Sequence, residues 1–125
     1  MWERAAQVLD RADRMQRRIF VLVRSESHAV WEPPVDVFAS ADETWIVVAL
    51  PGVDSARIDV ALEDGYVRVS GRREFPEVCA TADLCRLEIP VGRFARLVPL
   101  SPGRFEIVST EAQQGCLVVR LKKIG

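Results

Sequence analysis

Three cysteines (Cys79, Cys85 and Cys116), one histidine (His28) and the adjacent acids Glu63 and Asp64 are the side chains best suited to redox, metal or acid–base chemistry. Their spacing does not build a site. The cysteines are odd in number with no C-x-x-C pair, and a single histidine cannot complete a tetrahedral zinc set, so neither a disulfide framework nor a metal is expected. Cys79 and Cys85 can be read as a redox pair, with Arg86 beside Cys85 to favour the thiolate, or as two small apolar side chains. Glu63 and Asp64 precede Gly65 in a turn sequence, where solvated carboxylates are ordinary. The sequence holds no G-x-S-x-G elbow and no G-x-x-x-x-G-K-[ST] phosphate loop. The expectation is a non-enzymatic protein with no catalytic residues, no cofactor and no metal.

Without a reaction centre, the informative pattern lies in the elements. The length of 125 residues suits one domain with one modest core. Fifteen arginines and two lysines balance eighteen acids to a net charge of −1, which gives no field for nucleic acid, so none is expected as a partner. Apolar runs such as 19–23 and 45–50 are far shorter than a membrane span, and the first eighteen residues carry eight scattered charges, unlike a secretory leader. The cytoplasm is the expected compartment.

The first 24 residues stand apart, with six arginines against three acids, +3 in a chain of −1. Trp2, Ala5, Ala6, Leu9, Ala12, Met15 and Ile19 recur every three or four positions, which predicts an amphipathic helix over about 2–18. The apolar strip continues through Phe20 and Leu22 into a polar linker that ends at Trp31, before Pro33-Pro34. Residues 1–31 are therefore expected to form an arm and 32–123 a compact domain, with 124–125 a short remainder.

From Val35 the period becomes two. Strands are expected at 44–50, 57–63, 66–70, 84–89, 94–100, 105–109 and 117–121, each fenced by proline, glycine or polar residues. Gly52, Gly65 and Gly115 fall at the turns between them. Seven short strands at this spacing predict an all-β, immunoglobulin-like antiparallel β-sandwich, broken by one long charged loop at 72–83.

Several segments in order then match a known pattern: Pro34-Val35-Asp36-Val37, Leu50-Pro51-Gly52-Val53, Ile58-Asp59-Val60, Gly65 through Arg73, Gly92-Arg93-Phe94-Ala95-Arg96 and Gly115-Cys116-Leu117. Over residues 34–122 the sequence resembles the small heat-shock proteins of the α-crystallin type, in their bacterial and plant form. The resemblance implies an ATP-independent holdase that binds exposed apolar segments of unfolding proteins. It implies a groove lined by Ile58, Val60, Phe105 and Ile107, although the same side chains would equally fill a sandwich core. It also implies a homodimer in which a loop strand near Phe75, Val78 and Cys79 pairs with the partner's edge at Val35 and Val37, with Arg96 as an interface or interstrand ion-pairing residue. An inward Arg96 would need a carboxylate, for which Glu74 and Glu88 are the candidates. Trp2, Leu9, Met15, Ile19, Phe20 and Leu22 of the arm would meet clients, ahead of a membrane surface as their target.

Some positions depart from the family pattern. The sequence ends at Lys122-Lys123-Ile124-Gly125 with no I-x-I motif, Thr110 stands where alanine is usual, Ser101 where proline is usual, and Ile89 where an arginine usually follows the glutamate. An alternative expectation is therefore an adaptor that binds one defined partner, such as a paralogue whose I-x-I tail fills the groove.

Overall fold

The computed structural model describes residues 30–125. The expected arm, including Trp2, Leu9, Met15, Ile19, Phe20 and Leu22, lies outside the described residues. Seven strands follow: β1 (Val35–Ala39), β2 (Glu43–Ala49), β3 (Ile58–Glu63), β4 (Tyr66–Arg73), β5 (Gly92–Pro99), β6 (Phe105–Gln113) and β7 (Cys116–Lys123). They form a four-stranded sheet in the order β1-β2-β7-β6 and a three-stranded sheet in the order β3-β4-β5. All strand pairs within the two sheets are antiparallel. Single 3-10 turns at Ser55–Arg57 and Glu77–Cys79 are the only helical elements described.

Alternation decides what lies between the sheets. Ile46 and Val48 of β2, Val67 and Val69 of β4, Phe94 and Val98 of β5, and Leu117, Val119 and Leu121 of β7 are all buried and pack as one cluster with Leu50. Each such side chain is worth about 1.5–3 kcal/mol over its exposed state, so this inner layer carries the fold. Register keeps it aligned, with Ile46 opposite Val119 and Val69 opposite Arg96.

Two backbone positions show why particular residues are needed. The β6–β7 hairpin turns through Gln114 and Gly115, both at positive φ (52° and 76°), the paired left-handed geometry that matches the twist of a two-residue hairpin. Gly71 has no room for a side chain. A Cβ there would lie 2.5 Å from the Arg57 carbonyl oxygen and 2.8 Å from Cζ of Phe94, so the Phe94 ring occupies the space a side chain would need.

The structure differs from expectation in three places. Residues 84–89 are not a strand; Leu84, Leu87 and Ile89 are 63%, 50% and 52% exposed, and no described strand pairs with them. The seventh strand is β1 instead. The long loop begins later and ends later than 72–83, because Arg72 and Arg73 continue β4 opposite Arg93 and Gly92. Finally, β6 runs four residues beyond Ser109 and is bulged between Ile107 and Ser109, which leaves Val108 unpaired and 47% exposed.

Candidate functional site

The surfaces with functional character lie at the margins of the sandwich. β3 is an edge of the three-stranded sheet and β6 an edge of the four-stranded one. Ile58 and Val60 on β3, and Phe105 and Ile107 on β6, are half-buried and pack against the same inner cluster. Each pair shares one strand face because its members are two residues apart. The four candidate groove residues are thus apolar, partly accessible and seated on a common core at two unpaired strand edges.

The loop between β4 and β5 forms a second surface. All seventeen residues from 74 to 90 are exposed, and Phe75 and Val78 are 50% and 89% accessible. Cys79, at the end of its 3-10 turn, is exposed, as is Cys85. The loop is nevertheless anchored at its base. Arg73 donates from Nε to the Pro51 carbonyl at 2.7 Å and from Nη1 to the Pro90 carbonyl at 3.3 Å, tying both ends of the loop to the turn after β2. Glu74 accepts from Arg57 at 2.9 Å. A run this apolar and this exposed, held at both feet, is presented to solvent rather than folded back on its own domain.

β1 is the outer strand of its sheet. It pairs with β2 on one side only, and its burial falls from half-buried Val35 to exposed Val37 and Phe38. Val35 and Val37 stand opposite buried Val48 and Ile46, so they face inward. Val37 remains 49% exposed, with no described strand on its outer side to cover it.

The outer edge of β5 is closed by a residue that the sequence reading assigned to the linker. Trp31 donates its backbone N–H to the Arg93 carbonyl at 3.0 Å and accepts from Ala95 N–H at 3.1 Å. Its indole N–H reaches the Gly92 carbonyl at 3.1 Å, and its ring lies 5.3 Å from that of Phe94. The first half of this edge, at Arg93 and Ala95, is therefore covered within the chain.

Arg96 is inward-facing and 6% exposed. Its neighbours are not those expected. Glu74 pairs with Arg57 and Glu88 with Arg86, whereas Arg96 donates to the Pro33 carbonyl at 3.3 Å and faces Glu32. Burial pushes the Glu32 carboxyl above its ordinary value, against the pull of Arg96. Burial likewise lowers the Arg96 guanidinium, against the pull of Glu32. Arg96 Nε and Glu32 Oε1 are both buried without a hydrogen-bond partner, so the two charges attract without closing into an ion pair. A contrasting pair, Arg120 and Glu43, is bidentate at 2.6 and 3.2 Å across β7 and β2, and it holds the Glu43 carboxyl below its ordinary value.

Among the described residues no group of three or more His, Cys, Asp or Glu side chains gathers in metal-binding geometry. No described helix is long and apolar enough to cross a membrane. The sequence reading missed Trp31 as an edge residue, Glu32 as the neighbour of Arg96 and Val108 as a bulge. Only the first left a signal, an aromatic residue just ahead of the Pro33-Pro34 boundary.

The family model described as Hsp20/alpha crystallin matches residues 36–124, most of the chain. The chain belongs to the Hsp20/alpha crystallin family. Its structure is similar to that of HSP18.5 from E. histolytica, at 28% identity and a TM-score of 0.65, covering 77% of this chain and 91% of that one. It is similar to the hspA protein of Xanthomonas axonopodis at 28% identity and a TM-score of 0.65, covering 76% and 96%. It also resembles a small heat-shock protein from Xylella fastidiosa, whose structure reveals a distinct high order structure, at 27% identity and a TM-score of 0.65, covering 78% and 90%. No curated protein matches the chain. Members of this family are non-enzymatic chaperones that form oligomers and bind client proteins.

Proposed function

We propose that this chain is an ATP-independent holdase that binds apolar segments of unfolding proteins and keeps them from aggregating. The observation that carries this reading is the loop at 74–90, where Leu84, Leu87 and Ile89, beyond the segment at 75–79, are held out to solvent beside a fully formed core. Reversible apolar contact needs such surface and needs no nucleotide. Family membership supports the same reading.

The subunit pairs as a homodimer by loop exchange. Phe75, Val78 and Cys79 of one subunit lie along β1 of its partner, covering inward-facing Val37 and using the free hydrogen-bonding edge of β1. The partly covered edge of β5 supports this choice, since Trp31 already occupies the Arg93 carbonyl and the Ala95 N–H that a β5-to-β5 pairing would use. Arg96 acts on this interface from inside its own subunit, by holding Pro33 just ahead of β1. Ile58, Val60, Phe105 and Ile107 form the groove that receives an apolar tail or a client segment. The arm at 1–31, with Trp2, Leu9, Met15, Ile19, Phe20 and Leu22, adds further client contacts in the cytoplasm.

A second reading, a non-enzymatic adaptor for one partner such as a tail-bearing paralogue, rests on the same half-buried groove. The two are separated by light scattering from unrelated heat-labile proteins warmed with the chain and without nucleotide. Protection of several supports the holdase; capture of one partner in a fixed ratio, with no general protection, supports the adaptor.

A further inference from the structure

The outer face of the β3-β4-β5 sheet carries a charge arrangement that neither the core, the loop exchange nor the apolar groove uses. Because Val67, Val69, Phe94 and Val98 face inward, Arg72 and Arg93 face outward, and the register sets them directly opposite one another. Like charges opposed across an antiparallel pair destabilise a sheet. Arg57 adds a third guanidinium, one residue before Ile58, the partner of Gly71. Glu74 is shared by Arg57 at 2.9 Å and Arg72 at 3.8 Å. Arg93 is exposed and its guanidinium has no ion-pair partner among the described residues. These side chains line an open groove of about 570 Å³ with Val30, Asp59, Arg68, Ser70, Gly71, Phe94 and Ala95.

Among the described residues Glu74 answers Arg57 and, at longer range, Arg72, but no carboxylate pairs with Arg93, so the opposed pair is only partly compensated there and offers a place for an added carboxylate. We propose that this groove binds an extended acidic peptide segment of a client, with a carboxylate seated between Arg72 and Arg93. The planar guanidinium forks suit bidentate carboxylate recognition. The small floor of Ser70, Gly71 and Ala95 leaves room for a peptide backbone. Asp59, opposite Ser70 in the middle of the groove, repels a ligand charged at every unit, such as polyphosphate, and tolerates a peptide whose acids alternate with apolar residues. The proposal rests on the holdase reading and specifies the client chemistry: segments both acidic and apolar.

The test is fluorescence anisotropy of the full chain with a labelled twelve-residue peptide of alternating Glu and Ala, its Gln-for-Glu counterpart, and a polyphosphate of similar length. The acidic peptide binds at least tenfold more tightly than the neutral one, loses about tenfold in affinity in Arg93→Gln and in Arg72→Gln, and is unaffected by Arg104→Gln outside the groove. Because Arg72 and Arg93 repel, neither variant lowers the melting temperature; Arg93→Lys, which keeps the charge and loses the fork, gives an intermediate loss. Equal binding of the two peptides, unchanged affinity in both Gln variants, or polyphosphate binding tighter than the acidic peptide overturns the proposal. Protection of a client without acidic clusters is unchanged in these variants, so a failure here is distinct from a failure of the holdase reading.

Discussion

Val78→Ser isolates the exchanged loop from the fold of the subunit. Val78 is 89% exposed and lies outside the inner cluster, so its replacement leaves the melting of an isolated subunit within about 0.5 kcal/mol of the parent. In the dimer the same side chain is covered by the partner, and full burial of a valine is worth about 1.5 kcal/mol at the low end of the range. Two-fold symmetry buries it twice, so the variant loses roughly 3 kcal/mol of dimer stability, a weakening of about 160-fold in Kd. Sedimentation velocity over a dilution series reads the dimer constant, and a thermal melt at high dilution reads the subunit. A Kd within threefold of the parent, with the subunit folded, would show that Val78 is not at the interface and remove the main support for loop exchange.

Gly71→Ala places a methyl group against the Arg57 carbonyl and the Phe94 ring, and is expected to lower stability by about 1–3 kcal/mol in chemical denaturation, since one contact is rigid backbone. Trp31→Ala frees the edge of β5; the expected outcome is a lower melting temperature together with larger species by light scattering, as unpaired N–H and C=O groups recruit other chains. Glu43 and Glu32 should respond to pH with opposite sign. The Glu43 carboxyl is held below 4.5 by Arg120, so its contribution is complete above that value and is lost as pH falls through the lower folded value. Burial holds Glu32 above 4.5, so its contribution is present at lower pH and is lost as pH rises through the raised folded value. Glu43→Gln therefore flattens the acid side of the stability profile, and Glu32→Gln flattens the rise in cost on the neutral side, both measured by melts between pH 3 and pH 7.

The sandwich was legible because short apolar strands fenced by turn residues recur at regular spacing, and the alternation of Ile58, Val60 and Leu62, and of Val67 and Val69, is the direct imprint of an inner and an outer face. Trp45 to Leu50 is continuously apolar, so only the sheet settled that Ile46 and Val48 are its inward members. The misplaced strand at 84–89 shows where alternation fails: Cys85, Leu87 and Ile89 have strand-like spacing, but a strand exists only when it pairs with another, and pairing is a property of the assembled sheet. Arg96 was legible as inward-facing from its place two residues after Phe94. Its neighbour was not, because Glu32 lies 64 positions away across a turn of chain that no local pattern encodes. The opposed Arg72 and Arg93 were likewise invisible until register set them side by side.

The holdase account is tested most directly by warming two unrelated heat-labile proteins with increasing amounts of the full chain, in the absence of nucleotide, and following light scattering. The account predicts that scattering from both falls as the ratio rises, and that replacing Leu84, Leu87 and Ile89 together by serine shifts the protective ratio upward while the sandwich stays folded and assembled. Unsuppressed scattering from both proteins by a folded, assembled chain would contradict it.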